Sequence, residues 1–107
     1  MDVSTARQAD TATVVLAVTG EVDIATAPAL REAMADAIAD GAVDLTVDLD
    51  QTTFLDSAGI SALIWGRTLA DRGQCGFRVV NAHDLVDQVL AMTGVYQVLN
   101  RDAGHAS

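Results

Sequence analysis

Val43-Asp44-Leu45-Thr46-Val47-Asp48-Leu49 alternates without a break, with apolar residues at the odd positions and polar ones between them. Successive strand side chains point to opposite faces, so this run predicts a β-strand with one face in a core and the other polar. A sheet built on it carries helices on one side and is more open on the other. Downstream, Asp50 to Asp56 predicts a crossover with Phe54 and Leu55 buried under it, and a long helix follows from about Ser57 to Asp71. Gly73 ends that helix, and Phe77-Arg78-Val79-Val80 predicts the next strand.

Upstream, the β-branched run Thr13-Val14-Val15-Leu16-Ala17-Val18 predicts a strand bounded by Gly20, with Glu21-Val22-Asp23 a continuation or a second short strand. Thr26-Ala27-Pro28 is a helix start: Thr caps free amides and Pro is tolerated in the first turn. Leu30, Met34, Ala37 and Ile38 recur at helical spacing until Gly41 supplies a stop. Asp84 opens a third helix that carries Leu85, Val86, Val89, Leu90 and Met92 and stops at Gly94. Tyr96-Gln97-Val98-Leu99 predicts a short last strand, followed by a frayed tail to Ser107. Strand and helix alternate, which predicts an α/β fold: a small, mostly parallel or mixed sheet covered on one face by helices. The 107 residues make a single domain, its core over about residues 13–99, with a polar N-terminal lead-in and a flexible C-terminal tail.

Bulk chemistry excludes several functions. Net charge is −9, and the six cationic residues are all Arg, so the surface repels phosphate backbones and anionic lipid; neither nucleic acid nor membrane is an expected partner. No signal peptide opens the chain and no run has the length of a membrane span, which predicts a cytoplasmic protein. Cys75 is the sole cysteine, consistent with a reducing compartment; it follows Gln74 in a predicted turn, where an inert thiol is favoured over an exposed redox or dimer-forming one. One Cys and two His, scattered, offer no metal-ligand spacing, and no glycine-rich phosphate loop is present, so no metal or cofactor is expected. A serine hydrolase needs a base within reach of its nucleophile, but the only imidazoles are His83, in the turn before the third helix, and His105, in the tail. The chain is not expected to be an enzyme.

The most informative segment is Phe54-Leu55-Asp56-Ser57-Ala58-Gly59-Ile60. Asp56 and Ser57 are both good helix caps, and capping alone accounts for such a pair. A cap is also compatible with a phosphate acceptor: a phosphate at a helix start meets free N–H groups and the positive end of the dipole. Phosphorylation adds about −1.5 to −2 charges, enough to alter partner choice with the fold intact.

With Asp48-Leu49 before it, this segment resembles the signature of STAS domains, in particular anti-anti-sigma factors (anti-sigma factor antagonists). Gly20-Glu21-Val22-Asp23-Ile24-Ala25-Thr26-Ala27-Pro28 resembles the preceding family block, and Val80-Asn81 and Val89-Leu90-Ala91-Met92-Thr93-Gly94 resemble the following ones. The resemblance runs from Thr13 to Leu99. It implies a monomeric regulator of transcription, in stress response or sporulation, that acts by partner switching. The partner is an anti-sigma factor that is also a Ser/Thr kinase with a histidine-kinase-type ATP-binding fold, and binding it frees the sigma factor. The kinase phosphorylates the Ser matching Ser57, affinity falls, and a PP2C-type phosphatase reverses the mark. Asp23, Asp56, Ala58 and Gly59 form the neighbourhood of that phosphosite, with Asp23 matching an acidic family position beside the acceptor. Ala58 stands where a second Ser is common, and Trp65 where small residues are frequent. Many relatives continue past the position of Leu99 with a strand and a final helix, so these elements are expected to be short or missing here.

On the predicted second helix, Ile60, Leu63 and Ile64 fall on one side and should face the core. Ala58, Ala62, Trp65 and Leu69 fall on another. That second stripe either packs on a neighbouring helix or forms an exposed apolar strip in line with Ser57. On the latter view Thr26, Ala62, Trp65 and Leu69 belong to the partner interface, with Trp65 its anchor. Other roles for such a domain are a scaffold subunit of a different signalling complex or an accessory subunit of a transport system; the transport role does not need the Ser.

Overall fold

The computed structural model describes residues 1–8 and 10–100. Its elements are β1 (Asp2–Gln8), β2 (Thr13–Val22), α1 (Ala27–Ala39), β3 (Asp44–Asp48), β4 (Thr52–Leu55), α2 (Ser57–Arg72), β5 (Gly76–Val80), α3 (Asp84–Met92) and α4 (Val95–Leu99). The strand order is β1-β2-β3-β5, with β4 also paired to β2. β1 runs antiparallel to β2, whereas β3, β4 and β5 are parallel to their neighbours. The sheet is therefore mixed and mostly parallel, as the alternation of strand and helix predicts.

Alternation sets which face is covered. Val14, Leu16 and Val18 of β2, Leu45 and Val47 of β3, and Phe77 and Val79 of β5 are buried, while the residues between them are partly or fully exposed. From the helices, Leu30 and Met34 of α1, Ala62 and Leu63 of α2 and Val86 and Leu90 of α3 complete the same core. Among the described residues no helix is long and apolar enough to cross a membrane.

The structure corrects three expectations. The polar lead-in is a strand: β1 pairs with β2 in register from Asp2↔Thr19 to Gln8↔Thr13. An edge strand packs little of its surface, so Asp2-Val3-Ser4-Thr5-Ala6-Arg7-Gln8 carries no apolar signature, and its ladder to β2 holds it. Asp50–Asp56 is not a plain crossover, because Thr52–Leu55 forms β4; Leu55 is buried there but Phe54 is exposed. Tyr96-Gln97-Val98-Leu99 belongs to a short helix, not a strand: Val95 and Leu99, four apart, are its buried residues. In keeping with the inert thiol favoured from sequence, Cys75 is buried, its thiol pushed up by desolvation and by the Asp44 carboxylate. Glu21-Val22 continues β2 past Gly20 (φ +93°), where the register with β4 shifts. His105 and the tail lie outside the described residues.

A residue with no role in the sequence reading organises the C-terminal half. Arg67 is 2% exposed and its Nη1 donates to the carbonyls of Phe77 and Leu99, both at 3.1 Å, while Nε pairs with Asp71 at 3.2 Å. One guanidinium thus ties α2 to β5 and to the last carbonyl of α4. Arg67 falls seven residues after Ile60 and four after Leu63, on the stripe predicted to face the core, and that placement was its available signal.

Candidate functional site

β2 and β4 are parallel and end together, with Val22 opposite Leu55. The next residues, Asp23 and Asp56, therefore leave the sheet side by side, and the Asp56 N–H donates to the Val22 carbonyl at 3.2 Å. Each acidic residue organises one loop. Oδ1 of Asp23 accepts from the amides of Ala25 and Thr26, both at 3.0 Å, and the Thr26 hydroxyl accepts from the Asp23 amide at 2.9 Å. These hydrogen bonds, first among them the Thr26 amide, hold the Asp23 carboxyl below the usual carboxylate range. The Thr26 hydroxyl is committed inside this loop and does not cap α1.

Asp56 is the N-cap of α2: its Oδ1 accepts from the Ala58 amide at 2.9 Å and the Gly59 amide at 3.1 Å. Its own carbonyl accepts the Ile60 amide at 2.9 Å. Ser57, the first residue of the helix, is exposed and takes no part in this cap. The two roles that the sequence leaves superimposed on Asp56-Ser57 are thereby divided: the carboxylate caps and the hydroxyl faces solvent. Two of the amides at the start of α2, those of Ala58 and Gly59, are thus already taken by Asp56.

The division gives a direct prediction. Asp56→Ala removes a two-bond cap and should cost about 1 kcal/mol, whereas Ser57→Ala should leave stability within about 0.5 kcal/mol. Paired urea denaturation curves measure both; equal losses would show that Ser57 shares the cap.

The remaining predicted residues separate. Gly59 is buried where α2 meets the sheet: a Cβ there would lie 3.0 Å from both the carbonyl oxygen and Cγ1 of Val22. Ala58 is half-buried at the same end of α2. Ala62 is fully buried and cannot touch a partner, which removes it from the proposed interface. The cause is packing between helices: Gly66, one turn on, approaches α1 so closely that a Cβ would lie 2.8 Å from Met34 Cε. Leu69 is half-buried. Trp65 remains 40% exposed, with the Arg31 guanidinium of α1 6.0 Å from its ring centre. Much of the second stripe is thus the α1–α2 contact, and Trp65 is its outer edge.

Two apolar residues near Ser57 carried no functional assignment from sequence. Ile24, in the loop that Asp23 organises, is 80% exposed, and Phe54 of β4 is 41% exposed. An isoleucine between a strand end and a helix cap was the available signal for the first. For Phe54 the strand was missed, and with it the irregular pairing to β2 that leaves Phe54 exposed.

Comparison with known proteins agrees with this architecture. A family model described as "Mlab, STAS domain" matches residues 5–100. The chain belongs to the STAS-domain family. Among solved structures, this STAS domain is similar to an anti-sigma factor antagonist from Mycobacterium paratuberculosis, with a TM-score of 0.78 and 28% identity over 92% of this chain and 83% of that one. It shares its fold with SpoIIAA, an anti-sigma factor antagonist, in the unphosphorylated form (TM-score 0.70, 23% identity, 91% of this chain and 84% of that one). The same holds for a putative anti-sigma factor antagonist from Thermotoga maritima (TM-score 0.81, 16% identity, 92% and 83%). No curated protein sequence matches the domain significantly. Among the described residues no group of His, Cys, Asp and Glu is arranged to hold a metal ion.

Proposed function

We propose that this STAS domain is an anti-sigma factor antagonist that works in the cytoplasm as a monomer by partner switching, with Ser57 as the phosphorylated residue. The observation that carries this is the division of labour at α2: Asp56 makes the cap, so the exposed Ser57 hydroxyl is free to be modified without cost to the fold. In the unphosphorylated state the domain binds an anti-sigma factor kinase with a histidine-kinase-type ATP-binding fold, and the sigma factor is released. Binding excludes water from the exposed Ile24 and from the Trp65 ring, supported by Thr26 and Leu69 at the loop and helix edges.

Phosphorylation reverses the preference by charge. The Asp56 carboxylate already occupies the Ala58 and Gly59 amides. A phosphate on Ser57 therefore adds about −1.5 to −2 charges that these donors do not neutralise, next to Asp56 and close to the ionised Asp23. Carrying that charge into an interface is costly, so affinity falls, and a PP2C-type phosphatase restores it.

Affinity capture from host lysate with ADP added tests the assignment, with wild type, Ser57→Ala, Ser57→Asp and Trp65→Ala as baits. Wild type and Ser57→Ala should retain a small ATP-binding kinase that Ser57→Asp loses, and Trp65→Ala should retain less of it while staying folded. Identical partners on wild type, Ser57→Ala and Ser57→Asp would instead make the domain a constitutive STAS scaffold.

A further inference from the structure

The β3–β4 turn and the loop that opens α3 are joined through one imidazole. His83, the N-cap residue of α3, points Nε2 at the carbonyl oxygen of Asp50 and Nδ1 at Oδ2 of Asp84, 2.9 Å away. Both neighbours are acceptors. A neutral imidazole has one N–H and one lone pair, so either tautomer faces one of these oxygens with a lone pair; only the imidazolium donates to both. A second bond spans the same two loops: Asn81 Nδ2 donates to Asp48 Oδ1 at 3.1 Å, and that oxygen also accepts the Asp50 amide at 3.0 Å. Asn81 and Asp84 hold positive φ, 61° and 53°, so the β5–α3 loop sits in a conformation that needs such ties.

We propose that His83 is a proton-operated clasp, closed as the imidazolium, which fixes the β3–β4 turn against the start of α3 and so sets how β4 presents Ser57. The route is short. Residues Asp50 and Gln51 lead into β4, the Gln51 carbonyl accepts the Gly20 amide at 3.0 Å, and the Thr52 hydroxyl donates to the Val18 carbonyl at 2.8 Å. β4 then runs directly into Asp56 and Ser57. When His83 loses its proton to solvent, the ring can no longer donate to both oxygens: either Nδ1 meets Asp84 or Nε2 meets the Asp50 carbonyl with a lone pair, and the Asn81–Asp48 bond is left as the tie between the loops that does not depend on the ring. Among the described residues the charged groups acting on the ring are acidic: Asp84 beside it and Asp50 on the turn, with Asp48 behind Asn81, while Asp87 on α3 is taken up by the Tyr96 hydroxyl at 2.6 Å. These partners, the Asp50 carbonyl foremost, push the imidazole above its ordinary value. A group raised in this way stabilises the fold fully below its unfolded value of about 6.5, and the contribution is lost as pH rises through the folded value. The clasp is therefore weakened as pH rises through the folded value, which lies above the ordinary one. It does not depend on the identity of the partner kinase.

NMR titration of the full chain tests this in a His105→Gln background, where His83 is the single imidazole. The ring should titrate with a midpoint clearly above about 6.5. Backbone amides of residues 50–52 and 57–59 should shift with that same midpoint, far from any carboxylate titration. Asp84→Asn should bring the midpoint down toward the ordinary value. A ring midpoint at or below about 6.5, or amides at 50–52 or 57–59 that stay silent through it, would overturn the clasp.

Discussion

Arg67→Ala should lower stability by about 3–5 kcal/mol, the largest loss expected from any single truncation in the described residues. The guanidinium is 2% exposed and gives hydrogen bonds to two main-chain carbonyls, those of Phe77 and Leu99. Truncation leaves both without that donor, at about 1–3 kcal/mol for a buried polar group that stays unpaired, and it opens a void under α4. For a domain of this size the melting temperature should fall by roughly 15–25 °C. Arg67→Lys should recover only part of the loss, because a single ammonium on a flexible stem cannot reach the Phe77 and Leu99 carbonyls while also supplying the separate Nε contact to Asp71. Hydrogen exchange at residues 95–100 should accelerate before exchange in β2 does, since Arg67 is the tie between α2 and the end of α4. A loss below about 1 kcal/mol would mean that its buried hydrogen bonds merely offset the cost of desolvating the charge.

Arg67 also marks where a sequence-level account of this fold stops. The strands and helices that bury a continuous stripe were legible, because period 2 in Val43–Leu49 and period 3.6 in Leu30, Met34 and Ala37 are imposed by burial itself. β1 was not, since an edge strand satisfies its backbone through one neighbour and needs no apolar face. α4 was misread because Tyr96-Gln97-Val98-Leu99 is short and carries strand-favouring Tyr and Val, while the burial that decides its form pairs Val95 with Leu99, one helical turn apart. At the candidate site, the Asp56-Ser57 pair was visible but its division of labour was not. Which of two adjacent oxygens caps a helix depends on backbone angles, here the extended conformation of Asp56 (φ −99°, ψ −170°). Ala62 was placed on the right side of α2, yet no helical wheel shows that α1 lies against that side.

Gly59→Ala is the sharper test of how Ser57 is mounted, because two principles predict opposite signs for it. In a helix interior Ala is favoured over Gly by about 1 kcal/mol, so propensity alone predicts a more stable protein. Packing predicts the reverse. The new methyl group would sit 3.0 Å from the Val22 carbonyl oxygen and 3.0 Å from Val22 Cγ1, and it would also meet Leu55 Cδ1. The Leu55 methyl can swing aside, but the Val22 oxygen is main chain of β2 and is held by the Asp56 amide. Relief must therefore come from α2, whose first turn would lift off the sheet and strain the Asp56 bonds to the Ala58 and Gly59 amides. A net loss of about 1–3 kcal/mol is expected, with Gly59→Val worse. Gly66→Ala is the control: its close neighbours are the Sδ and Cε of Met34, the flexible end of a side chain that can rotate away, so it should cost less. Denaturation curves rank the variants, and partner capture at a temperature where Gly59→Ala remains folded separates stability from presentation. Weakened capture there, with Gly66→Ala unaffected, would show that the close seating of α2 on Val22 holds Ser57 where the partner meets it. A stabilised Gly59→Ala would mean that the first turn of α2 has room to move, and that the position of Ser57 is not fixed by its contact with the sheet.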